Sequence, residues 1–371
     1  MRKKILTTHT GSFVRPQKLT DMLLAEAKRQ YVNPQAFEEA CREAVNEVVR
    51  KQCETGIDII NDGEQSKTGF AQYIHGRLTG FEGPPIQKPK SLEARDFPDA
   101  PVGIVSVTPC TGPLGWKEFS AVERDIAILK NATAGIHDRD VFMASISPGS
   151  FTNNNPNHYY SSRSEYMAAV IDIMQREYEA IAAAGFILQL DSPDLAQRSY
   201  NFPDMPMSEW LELVRENVDA LNSATRRIPR EQIRVHVCWG ANEGPHNHDT
   251  ELRDIVHILL MLRTSAISLV CANGRHQHEW RVWESTKIPP EMQLIVGAID
   301  STTNIVEHPE TVALRLIQFA KVVGRDKIIA GVDCGFGTIV SNKPEVAPSV
   351  AWAKLQSLVK GAAIASAELG L

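Results

Sequence analysis

Two short stretches carry the groups best suited to chemistry. Arg234-Val-His-Val-Cys238 sets an imidazole and a thiol two residues apart in a run with strand character, and Gly331-Val-Asp-Cys-Gly335 ends a second such run on a thiol. Side chains two apart on a strand point to the same face, so His236 and Cys238 can address one centre. Cys334 would complete a set of one imidazole and two thiols, which suits zinc but is one short of its usual four ligands. Zinc sites with three protein ligands keep a position open and are the catalytic kind. Taken singly, each residue is better explained as a buried cysteine or a hydrogen-bonded histidine. Their joint placement at strand ends favours the metal.

Other candidates surround this set. Cys271 ends a third β-like run and could be a fourth ligand, a substrate-facing thiol or simple packing. Glu64 and Asp191 also follow strand-like runs and could anchor a cationic group such as an amine; capping a loop or helix is the competing role. Gly11-Ser12, ahead of Arg15-Pro16, could offer N–H groups and a hydroxyl to an anion, or be an ordinary turn before a helix. His276 and His278 are two apart in a stretch expected to open a helix, where such positions do not share a face, so they are poor metal ligands. His246 and His248 fall in a polar loop. No phosphate-binding glycine loop is present.

The elements that must position these groups alternate regularly. Strand-like runs are expected at 5–8, 57–61, 141–145, 186–191, 233–238, 266–271, 294–299 and 327–332, and helices at 34–55, 161–184, 208–224, 250–264, 309–323 and 349–368. Strands alternating with helices imply a parallel sheet, and eight such units close into a (β/α)8 TIM barrel. Active-site groups of such barrels sit at the C-terminal strand ends. Here those ends are rich in acids, thiols, imidazole and hydroxyls, whereas the strand interiors are mostly Ile, Val and Leu. Residues 78–124, rich in Pro and Gly, do not fit the alternation. They are expected to be an insertion between the second and third units, with the apolar run 102–107 forming part of a hairpin. No linker divides the chain, so residues 1–371 are expected to form one domain.

The bulk composition narrows the partners. The chain of 371 residues is 43% hydrophobic and 23% charged, with 39 basic against 45 acidic residues and a net charge of −6. Without a basic block, nucleic acid and anionic membranes are poor candidates for the main partner. No apolar run approaches the roughly 20 residues of a membrane span. The basic start lacks the apolar core of a signal peptide, so a cytoplasmic location is expected. The six cysteines are then expected to be reduced, with Cys41 and Cys53 packed in a helix. The oligomeric state is left open, a homo-oligomer included.

The motifs Thr8-His-Thr-Gly-Ser-Phe-Val-Arg-Pro16, Asp62-Gly-Glu64, Gln189-Leu-Asp-Ser-Pro193, His236-Val-Cys238 and Asp333-Cys-Gly335 occur in this order over almost the whole chain. Together they resemble the catalytic barrel of the cobalamin-independent methionine synthase family. The resemblance implies a (β/α)8 barrel whose zinc favours the thiolate form of homocysteine for attack on the methyl group of a methylated folate. By position it makes His236, Cys238 and Cys334 zinc ligands, Glu64 and Asp191 anchors for the substrate amino group, and Ser12 a neighbour of the substrate carboxylate. Two departures stand out. The family's glutamate ligand aligns with Val270, which leaves the fourth position to Cys271, water or substrate. The family's acid histidine is replaced in the stretch 300–304, where Thr302 is offered instead. A divergent branch, including the epoxyalkane:coenzyme M transferases, is the alternative, with a thiolate opening an epoxide. A metal-free lyase resembling uroporphyrinogen decarboxylase is a second alternative; Arg15, Arg77 and Arg198 would then hold substrate carboxylates. The shared expectation is a zinc-dependent transfer of a methyl or alkyl group from a small-molecule donor to a small-molecule thiol.

Overall fold

A computed structural model describes residues 4–100 and 106–371. Nine strands occur among them in chain order: β1 (Ile59–Ile60), β2 (Ile86–Gln87), β3 (Ser106–Val107), β4 (Asp140–Ile146), β5 (Ile187–Asp191), β6 (Ile233–His236), β7 (Ala266–Leu269), β8 (Gln293–Ile299) and β9 (Ile328–Val332). Seven of them pair in parallel in the order β1-β4-β5-β6-β7-β8-β9. Crossovers connect them, as a parallel sheet requires; most are helical, but the one between β7 and β8 carries only the 3-10 helix Glu279–Glu284. The helix Pro34–Thr55 shows how the sequence sets its limits. The Asn33 side chain accepts from the Ala36 N–H, Pro34 occupies the first turn, and Gly56 ends the helix at φ 91°. Helix Arg163–Ala183 starts in the same way, with the Ser162 side chain accepting from the Glu165 N–H.

The expected first strand, 5–8, is reduced to a single bridge between Thr7 and Ala330. The Asp58 carboxylate explains the interruption, because it accepts from the Thr7 N–H at 2.9 Å and from the Thr7 hydroxyl at 3.0 Å. That N–H is therefore lost to the ladder. The segment still links the two outer strands of the sheet. On one side the Thr8 N–H donates to Ala330 and the Ala330 N–H donates to Leu6, both at 2.8 Å; on the other the Ile59 N–H donates to Thr7 at 3.0 Å. Inside the curl, Leu6, Ile59, Phe142, Ile187, Ala266, Ile295 and Ile329 form an apolar cluster of their own. Arg234 of β6 joins them by lying 3.5 Å from the centre of the Phe142 ring. Its guanidinium donates to Gln189 Oε1 at 2.8 Å, to the Thr8 hydroxyl at 3.0 Å and to the His9 carbonyl at 2.9 Å. This buried strut ties β6 to β5 and to the bridging segment.

Between β1 and β4 the Pro/Gly-rich stretch forms an antiparallel hairpin, with Ile86 opposite Val107 and Gln87 opposite Ser106. Part of the apolar run expected there, residues 102–105, lies outside the described residues. The stretch also holds a short helix, Leu92–Asp96. Its last residues belong to the helix Ser120–Ala132, which leads into β4. Among the described residues, no helix is long and apolar enough to cross a membrane. All six cysteines are unpaired; Cys41 is buried and Cys53 half-buried on the helix Pro34–Thr55, as expected for packing residues.

Candidate metal centre

His236 is the last residue of β6, Cys238 lies two beyond it, and Cys334 lies two beyond β9. The curl of the sheet brings these ends together. One ligand atom from each residue lies within 4.8 Å of the other two, and all three residues are buried. The two sulfurs are 3.5 Å apart. The Cys334 thiol hydrogen-bonds Cys238 and is the main cause holding Cys238 well below the usual thiol range; His236 adds to this against the opposing effect of burial. The same contact, together with burial, pushes Cys334 well above that range. The two sulfurs are thus close enough for one to favour loss of the other's proton. Burial draws His236 down, but the adjacent Cys238 sulfur raises it overall. The Gly240 N–H also donates to Cys238 Sγ at 3.2 Å.

The imidazole is oriented from behind. His236 Nδ1 lies 3.4 Å from the Ser268 hydroxyl, on the paired residue of β7, while Nε2 is buried with no hydrogen-bond partner. A buried polar atom without a partner costs free energy unless something satisfies it. An imidazole with an unpartnered nitrogen beside two cysteine sulfurs fits a borderline-soft divalent ion. No further His, Cys, Asp or Glu joins the cluster among the described residues. Cys271 is not brought into it. Its thiol faces the Leu269 carbonyl at 3.5 Å, and burial raises its pKa well above the usual range. Val270 is packed in the main apolar core.

The carboxylates expected to anchor an amine come together. Asp191 ends β5, and the Gln189 side chain donates to it at 2.8 Å. Burial, then the nearby charge of Glu64, pushes the Asp191 carboxyl up to about 7. Glu64 adopts φ +52°, and its Oε2 is buried without a partner. A pair of buried, under-satisfied carboxyls suits a ligand cation. Ser12 is buried against Gly335, next to Cys334, so closely that a Cβ on Gly335 would lie 1.9 Å from the Ser12 oxygen. Thr302 is occupied locally: its hydroxyl and its N–H both bond Asp300 Oδ1 at 2.8 Å. Asp333, beside Cys334, accepts the N–H groups of Cys271, Ala272 and Asn273 at 2.8, 2.9 and 2.8 Å and so fixes the loop after β7.

Several expectations about charged residues are corrected. Arg15 and Arg77 do not present free guanidinium groups for substrate carboxylates, and Arg198 is partly occupied. Arg15 is buried and donates to the carbonyls of Glu64 and Lys67 at 2.8 and 2.9 Å. Arg77 pairs with the buried Asp125. Arg198 donates to the Met205 carbonyl at 3.0 Å. His276 opens no regular helix; its two nitrogens reach Glu279 at 2.8 Å and Asp249 at 3.0 Å. Asp249 also receives Arg275 at 2.9 Å. This network braces the loop after β6, since Arg275 also donates to the Gly240 carbonyl. Residue type alone does not mark Ser268, Gln189 or Gly240. Only their strand positions relative to His236, Asp191 and Cys238 could have shown them.

A curled parallel β/α sheet with a buried His-Cys-Cys cluster at its C-terminal end is the frame of an enzyme that could use a bound metal. Comparison with known proteins gives the family. The cobalamin-independent synthase catalytic domain matches residues 5–354, and the chain belongs to that family. It is 25% identical over 366 residues to a methionine synthase of Thermococcus kodakarensis, covering 98% of this chain and 94% of that one. It is 21% identical over 353 residues to a 5-methyltetrahydropteroyltriglutamate–homocysteine methyltransferase of Thermotoga petrophila, covering 93% of this chain but 43% of that longer protein. A solved B12-independent methionine synthase from Shewanella sp. W3-18-1, in complex with selenomethionine, shares the fold with a TM-score of 0.76 at 22% identity over 99% of each chain.

Proposed function

We propose that this chain is a zinc-dependent methyltransferase that moves a methyl group from a small-molecule donor to the sulfur of a homocysteine-type thiol. The observation that carries the reading is the convergence of His236, Cys238 and Cys334 with His236 Nε2 left unpartnered. Family membership and the activities named for the relatives from Thermococcus and Thermotoga support it. We read the curled sheet as a (β/α)8 barrel completed by residues 6–8, with residues 78–124 as its insertion and residues 1–371 as one domain. The zinc, when bound, supplies a Lewis acid that favours the thiolate form of the substrate at neutral pH. The protein's own groups do the positioning. Ser268 meets Nδ1 of the His236 ring and leaves Nε2 as the nitrogen free to ligate. Glu64 and Asp191 receive the substrate ammonium, and Ser12 lies where the substrate carboxylate would be. Holding the sulfur and the donor carbon in line removes entropy from the barrier before the reaction begins. Metal analysis tests the reading. Purified protein is expected to hold about one equivalent of zinc that Cys238→Ser removes; less than about half an equivalent, unaffected by that change, sinks it.

A further inference from the structure

A cleft of about 440 Å³ lies beside the metal centre. Gly335 and Phe336, directly after Cys334, line it together with Lys88 and Tyr200. Its size falls in the range of pockets that enclose drug-sized ligands and exceeds what an amino-acid thiol needs. Lys88 follows β2 of the inserted hairpin and is half-buried. Its ammonium donates to Asn201 Oδ1 at 2.7 Å. Among the described residues, Lys88 belongs to no ion pair. Burial alone pulls its pKa down to about 8, so it is still mostly protonated at neutral pH.

The other cations of the cleft are differently placed. Arg15 is spent on backbone carbonyls, and Lys343 is exposed. Gln72, Asn154, Gln197 and Asn242, also in the lining, are neutral hydrogen-bonding groups. A half-buried ammonium held by one amide oxygen has lost hydration without gaining a counter-charge, and an anionic ligand group would restore it. We propose that Lys88 binds a carboxylate of the methyl donor in this cleft, with the donor's reactive end toward Cys334. The inserted hairpin then supplies the anion-reading residue for the second substrate. The inference rests on the methyl-transfer reading above.

Zinc-loaded protein, as wild type, Lys88→Met and Lys88→Arg, would be titrated calorimetrically with 5-methyltetrahydropteroyltriglutamate and separately with homocysteine. The methionine variant is expected to bind the donor on the order of ten- to a hundredfold more weakly, the loss of a hydrogen bond to a charged group. The arginine variant should stay within a few-fold of wild type, and zinc content and homocysteine affinity should not move. Equal donor binding by wild type and Lys88→Met overturns the proposal, and so does a loss that falls on homocysteine instead. A wild type that binds zinc and homocysteine but not this donor overturns it too. A wild type without zinc defeats the methyl-transfer reading instead, while its donor titrations still decide the role of Lys88.

Discussion

Replacing Gly11 by alanine separates the geometry of the site from the general cost of a strained backbone. Gly11 has φ +140°, a conformation that side chains rarely adopt, and a Cβ built there would lie 2.6 Å from Glu64 Oε1. That is nearly an ångström inside ordinary contact, so the carboxylate, the end of a flexible side chain, must swing out of its place. Its backbone is held at φ +52°, and the Glu64 carbonyl accepts Arg15 at 2.8 Å and the Lys67 N–H at 3.1 Å. The backbone strain alone should cost about 1–3 kcal/mol. For 371 residues the unfolding entropy is about 0.8 kcal/mol/K, so the melting temperature should fall by about 1–4 °C. The displaced carboxylate should weaken homocysteine binding on the order of tenfold or more, as expected for a damaged hydrogen bond to a charged group. Gly56→Ala is the control. Gly56 has φ +91° at the end of a helix, and its added Cβ would meet only Val359, at 3.4 Å. It should lower the melting temperature comparably and leave binding unchanged. Thermal melts and calorimetric titration with homocysteine, run on both variants, decide the matter. If Gly11→Ala binds homocysteine as wild type does, or if both variants lose affinity equally, Glu64 is not the anchor for the substrate amine.

Two further outcomes follow from the thiol pair and the histidine network. Stripping the metal should make the protein sensitive to mild oxidation by diamide. Cys238 and Cys334 start 3.5 Å apart and must approach to about 2 Å to bond; mass spectrometry should find that crosslink in the stripped protein and not in the zinc-loaded one. Asp249 is raised by burial, but the hydrogen bonds of His246 and His276 and the charge of Arg275 bring its carboxyl down to about 2. A depressed carboxyl contributes stability above its unfolded value near 3.9, and that contribution is lost as pH falls toward about 2. Asp249→Asn should therefore cost about 2 kcal/mol in urea unfolding at pH 7, a gap that narrows below about pH 4; a gap independent of pH would refute the ion-pair account.

Much of the site was legible because it depends on spacing that a strand imposes. The separation of His236 and Cys238 alone predicts that they face the same way, and their ligand atoms lie within 4.8 Å of each other, although β6 ends at His236 and Cys238 lies beyond it. Cys334 could be added because runs of Val, Ile and Leu alternate with helical patterns, and a parallel sheet puts the carboxyl ends of its strands on one side. The remainder depended on partners that periodicity does not report. The bridging segment at Thr7 looks like a strand from its own residues; Asp58, 51 positions away, takes the N–H that a ladder would use. Arg15 and Arg77 looked available for substrate because residue type says nothing of the carbonyls and the carboxylate that occupy them. Helical spacing makes His276 a poor metal ligand, but the deciding fact is that Asp249 and Glu279 flank it. Lys88 was hidden inside a stretch read only as an insertion, and its reach to Asn201 crosses 113 positions of sequence. Local pattern thus marks which residues face the same way. Which of them remain chemically free depends on long-range pairing, and in this chain that freedom is what separates His236 Nε2 and Lys88 from the buried arginines.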